Sequence, residues 1–163
     1  MGQKLREVKK SSEKGAETLK KGAEQGKKAV DQVKDMRKLI DSLPQDVDTE
    51  ITEAANVVRT ETKSDAKAHM ESSVKTTLES GKSKMTESSN EAKHQVDNNK
   101  KVQEIFAQMD GKGAFGKLAR EKGRKNVEKS SEEFNQVIQE NTKETQDAQA
   151  EFDKQKGEID SAI

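Results

Sequence analysis

The chain has 163 residues, of which 28% are apolar and 38% charged, with four Phe, no Trp and no Tyr. An average globular domain is about 45–50% apolar and about 25% charged, so a thick core walled by several layers is excluded. What remains is an all-α fold: long amphipathic helices that each bury a narrow stripe. They are expected to form an extended helical hairpin, bundle or coiled coil of three helices, or four if the middle one breaks. Net charge is zero but unevenly spread. Residues 1–40 carry twelve Lys/Arg against six Asp/Glu, residues 41–110 nine against fourteen, and the remainder ten against eleven. A basic arm beside an acidic middle fits antiparallel self-pairing, or an anionic surface.

With no cysteine, disulfides and thiolate metal sites are ruled out. No apolar run approaches the ~20 residues that span a bilayer, and the first residues lack the apolar stretch of a signal peptide. A cytoplasmic or non-classically secreted protein is expected. Met1-Gly2 opens like a myristoylation signal, but Arg6 stands where that signal needs Ser or Thr.

In chain order, residues 1–43 form a basic helix, expected over about 3–41. Its seam steps by three and four: Leu5, Val8, Ser12, Gly15, Leu19, Gly22, Gly26, Ala29, Val33, Met36, Ile40, Leu43. Such heptad spacing marks a helix packed along a partner. Glycine costs up to about 1 kcal/mol in a helix interior, so three on one seam imply close approach of another helix. This strip is the first candidate docking surface, because its small residues leave the most unfilled space.

The lone proline, Pro44, follows Ser42 and precedes Gln45. Ser42 and Gln45 have capping-box spacing, which predicts the next helix from about 44 to 109. Its apolar residues, Ile51, Ala55, Val58, Thr62, Ala66, Met70, Val74, Leu78, Gly81 and Met85, step mostly by four. That rhythm is nearer an eleven-residue repeat and favours a straight or slightly right-handed seam. A break near Ser80-Gly81 or Asp97-Asn98-Asn99 would divide it and give four helices.

Asp110-Gly111-Lys112-Gly113 reads as a turn. The densest apolar residues flank it: Ile105, Phe106, Met109, Phe115 and Leu118, expected to be the best-ordered core. The third segment, 110–163, holds a helix over about 114–162 with a heptad seam. That seam is Val127, Ser131, Phe134, Ile138, Asn141, Thr145, Ala148, Phe152, Gln155 and Ile159. Asn141 and Thr145 are polar seam positions of the kind that fix register.

The chemical motifs are incomplete. Gly111 to Lys117 has the spacing of a phosphate-binding loop, but Leu118 replaces the required Ser or Thr and no strand precedes it. Lys112, Lys117, Arg120, Lys122, Arg124 and Lys125, opposed by Glu121, form a basic cluster that could meet phosphates. Without Tyr or Trp for base stacking it argues against nucleic acid. His69 and His94 are the only histidines, 25 positions apart, and a metal site needs several converging ligands. No catalytic residue, metal or cofactor is expected.

Two resemblances carry implications of their own. Lys14-Gly15-Ala16-Glu17 recurs as Lys21-Gly22-Ala23-Glu24. In this repeat and in composition the first 40 residues resemble late-embryogenesis-abundant proteins and other lysine-rich lipid-surface helices. The resemblance implies a chain that folds on a lipid or drying surface. Met109-Asp110-Gly111, then Ala114, Phe115 and about 50 helical residues, is similar to the second half of a small secreted helical hairpin of the WXG type. That family has Trp where Met109 stands and a Tyr-containing export signal that this chain lacks. The resemblance implies a secreted helical effector or its partner. The main expectation is a non-enzymatic structural or interaction protein. It would pair through helical seams with itself or with another helical protein, and an anionic lipid surface is the alternative partner.

Overall fold

A computed structural model describes residues 2–43, 49–108 and 113–162, apart from the side chains of Thr49, Ala114, Phe115 and Ala119. The described residues form three long helices, with no strand among them. Helix α1 spans Gly2–Asp41. The second rod is continuous and has three parts: α2 over Thr49–His69, a π-helical turn over Met70–Val74, and α3 over Lys75–Gln108. Helix α4 spans Gly113–Ala162. It begins at Gly113 with φ +75°, a left-handed conformation that glycine adopts without a Cβ penalty.

The boundary near Pro44 differs from expectation. Ser42 closes α1 rather than opening the next helix. Its hydroxyl donates to the Leu39 carbonyl at 2.6 Å and its N–H to the Lys38 carbonyl at 3.0 Å. A short hydroxyl side chain serves either end of a helix, and here the free carbonyls of α1 claim it. Pro44 and Gln45 lie outside the described residues, and α2 begins at Thr49.

No break divides the second rod near Ser80 or Asn98, because α3 runs through both. The irregularity lies earlier. The Lys75 N–H reaches the Met70 carbonyl, five residues back. The Ser72 hydroxyl donates to the Ala68 carbonyl at 2.8 Å, and that of Thr77 to the Ser73 carbonyl at 3.0 Å. The cause is visible in the apolar spacing. Each step of four overshoots a 3.6-residue turn by about 40°, so Thr62, Ala66, Met70, Val74 and Leu78 would spiral off one face. A single wide turn absorbs the surplus and leaves Met70 and Val74 both fully buried.

The chain divides into two compact units that cut across the helices. Unit 1 comprises Met1–Ala16 and Lys82–Glu144, and unit 2 comprises Glu17–Gly81 and Thr145–Ile163. In unit 1 the core is Val8, Ala92, Phe134 and Val137, with Leu5, Val96 and Ile138 packed against it. Polar layers lie beside it. The Ser88 hydroxyl donates to the Val8 carbonyl at 3.0 Å and pairs with Ser12 at 2.6 Å. Asn99 donates to Ser130 and Ser131, both at 3.1 Å, and Asn141 to Ser89 at 3.2 Å. A buried amide left unbonded costs about 1–3 kcal/mol, so these pairs hold α3 and α4 in one register.

In unit 2 the buried apolar residues include Leu19, Val30, Val33, Ile40, Met70, Leu78, Phe152 and Ile159. The last carbonyls of α4 meet cations: Arg37 donates to the Ala162 carbonyl at 3.1 Å and Lys63 to that of Asp160 at 3.2 Å. Positive charge at a helix C-terminus is favourable for the same reason that the carbonyls there are free.

Candidate interaction surfaces

The small-residue seam of α1 was the first candidate, and the structure fills it from within. α1 lies antiparallel to α3, so that residue i of α1 faces residue 100 − i of α3. In unit 1, Ser12 faces Ser88 and Gly15 faces Met85. A methyl at Gly15 would sit 2.9 Å from the Met85 sulfur. In unit 2, Leu19 faces Gly81 and Gly22 faces Leu78. Bulk on one helix meets absence of bulk on the other, which lets backbones come close. Gly26 turns instead to α4, where a methyl would overlap the Gln155 side-chain oxygen.

Of the seam residues singled out in α1, Val8, Leu19, Ala29, Val33 and Ile40 are buried, while Leu5 and Met36 are half-buried. Leu43 is exposed, since α1 ends at Asp41. The strip is therefore spent on the fold. On α4, Val127, Phe134, Phe152 and Ile159 are buried and Ile138 half-buried.

The expected core beside the glycine turn is not formed by the residues described there. Ile105 is 58% exposed and Leu118 68%. Both sit off the faces that α3 and α4 present to each other, which carry Asn99 and Phe106 on one side and Gly123, Val127 and Ser130 on the other. Phe106 is half-buried with its ring against Gly123. Met109 lies outside the described residues, as do Asp110, Gly111, Lys112 and the Phe115 side chain. The features behind the WXG resemblance therefore fall mostly outside them too.

Exposed apolar side chains gather in two places. In unit 1, Val102, Ile105 and Leu118 are exposed. Arg120, Glu121, Arg124 and Glu128 line the neighbouring groove with Gln103 and Phe106. In unit 2, Leu39 (62% exposed), Leu43, Ile51, Val57 (55% exposed) and Val58 are exposed. Ile40, Leu43, Ile51, Ala55 and Arg59 line one groove, and Met36, Leu39, Thr62, Asp65 and His69 line another. Sequence reading passed over Leu39, Val57 and Val102 because they lie outside the seams, and lying outside a seam was itself the signal.

Surface electrostatics are local. Three groups of unit 2 depart from their ordinary titration. A hydrogen bond and the charge of Lys156 lower Glu71, and the same bond raises Lys156. A hydrogen bond from Lys67 lowers Asp160, with Lys63 adding to it. All three are exposed, and such pairs stabilise little. His69 and His94 are exposed. Among the described residues no group of three or more His, Cys, Asp or Glu is placed to hold a metal ion, and no helix is long and apolar enough to cross a membrane. The phosphate-loop spacing falls at the start of α4, where residues from Gly113 onward are helical. No family model, no curated protein and no solved structure matches the chain.

Proposed function

We propose that this chain is a non-enzymatic interaction protein. Its helices are held by their own seams, and it presents exposed apolar side chains of each unit to other helices, its own or a partner's. The observation that carries this is exposure. In a chain so poor in apolar residues, Leu39 and Val57 of unit 2 and Ile105 and Leu118 of unit 1 stand in solvent. Single exposed leucines are ordinary, whereas grouped ones mark contact sites.

The test is a combined variant, Leu39→Gln, Val58→Gln, Ile105→Gln and Leu118→Gln, followed by urea unfolding and circular dichroism. Surface substitutions of this kind change stability by at most about 0.5 kcal/mol each. A fold that survives unchanged supports contact residues. A loss well above about 2 kcal/mol in total would assign these side chains to the core and end the reading. Anionic vesicles should leave wild-type helicity unaltered. A sharp, salt-sensitive rise would replace the proposal with lipid-surface folding.

A further inference from the structure

We infer that residues 2–16 of α1 are a displaceable strap, and that the groove beneath them in unit 1 takes the same segment from a second copy of the chain. This groove is separate from the exposed side chains described above, so the two can fail independently. The strap is thinly attached. Leu5 and Val8 are its only large apolar side chains; Val8 is fully buried and Leu5 half-buried. Within unit 2 the same helix buries Leu19, Val30, Val33 and Ile40. The rest of the strap's hold is small or polar. Ser12 pairs with Ser88, Ser88 donates to the Val8 carbonyl, and Gly15 lies on Met85. A cleft remains between Lys9, Ser12 and Glu13 of the strap and Val137 and Glu140 of α4. Segments with few buried apolar contacts open ahead of the rest of a fold, and Gly15 weakens the helix at the strap's base.

The groove outlasts the strap. Ala92, Val96, Phe134, Val137 and Ile138 form its floor. The bonds that join α3 to α4, from Asn99 to Ser130 and Ser131 and from Asn141 to Ser89, involve no residue of the strap. Opening therefore bares an apolar surface that is already shaped. The stretches that hold it, 82–97 and 127–144, carry five bases and eight acids, against five bases and two acids in the strap. The occupant that fits is a basic helix with two apolar residues three apart, then Ser and Gly on the same face. A second copy supplies that helix. Exchange of an identical segment reproduces the contacts of the closed form, so association needs no new surface.

Two measurements on the full chain test this. Hydrogen exchange of the wild type at residues 8–14 should run at least about tenfold faster than at 19–40. The gap should widen from about 0.1 to about 1 M salt, as the screening length falls from about 10 to about 3 Å. Because the chain has no cysteine, Ser12→Cys and Ser88→Cys each add a single thiol, and Ser88 is fully buried beside Ser12. Mixed in equal amounts with oxidised glutathione, the two variants should form a dimer bridged between positions 12 and 88. It should outnumber either self-linked dimer and increase with concentration. The double variant, closed by its own bridge, should stay monomeric and lose the fast exchange. Equal protection along α1 in the wild type overturns the strap. Fast exchange with no dimer bridged between 12 and 88 at any concentration overturns exchange between copies.

Discussion

Gly81→Ala and Gly157→Ala are the same chemical change in two places, and the structure gives them opposite signs. Both glycines lie well inside helices, where alanine is favoured by about 1 kcal/mol. At Gly157 nothing lies within 4 Å of the added methyl, so the variant should gain close to that amount. At Gly81 the methyl would stand 2.7 Å from Leu19 Cδ2 and 3.0 Å from the Leu19 backbone nitrogen. The side chain can rotate, but the nitrogen moves only if α1 backs away from α3. Overpacking of this kind costs about 1–3 kcal/mol, which cancels or exceeds the gain. The two variants should therefore differ by about 1–3 kcal/mol, with Gly157→Ala the more stable. Urea unfolding followed by circular dichroism reads this directly, provided the m-value is unchanged. If both alanines stabilise equally, α1 and α3 do not approach as described, and the account of small residues as space for a neighbour is wrong.

Other substitutions probe separate links. Gln155 is buried, and its amide donates to the Ala23 carbonyl at 2.9 Å while its oxygen has no hydrogen-bond partner. Gln155→Met removes that orphaned acceptor at similar volume and should leave stability equal or higher, by up to about 1–2 kcal/mol; a clear loss in urea unfolding would show that the amide is essential. Deleting Ser73 should convert the π turn to ordinary α-helix and leave Ala66 and Thr62 on the seam, because the residue removed is the surplus that the wide turn absorbs. Hydrogen exchange should then show α2 as protected as before; a loss of protection confined to α2 would contradict this account of the turn. Glu71 and Asp160 both have lowered folded values, so their contribution is present above the unfolded value and disappears as pH falls through the folded one. Thermal melts should hold steady from neutral pH downward and decline only in acid, and Lys156→Met should weaken that decline.

The seams were legible because they are written in spacing. Val8, Leu19, Val33, Phe134 and Ile159 are buried at the positions their intervals mark, since a helix can hide a slender stripe only at three- and four-residue steps. The π turn was also written there, as a run of fours, but one sequence does not separate a drifting seam from a wide turn. Asn99 was misread for a physical reason. Isolated Asn disfavours helix interiors, yet here it is buried and bonded to two serines whose position only the fold reveals. Ile105 and Leu118 misled in the opposite direction. Apolar density around a turn suggests a core, but burial needs a neighbour on that side of each helix, and both side chains stand in solvent.

The alternation of bulk between α1 and α3 works like the marks on a vernier scale. Slide one helix by a heptad one way and Val8 collides with Met85 while Leu19 crowds Val74. Slide it the other way and Gly15 falls on Ala92, leaving a void. A helix seam filled uniformly with leucine would tolerate either displacement, because every step would look alike. Here the coarse and fine teeth engage at a single setting, so a chain with little grease to spend still has one unambiguous alignment.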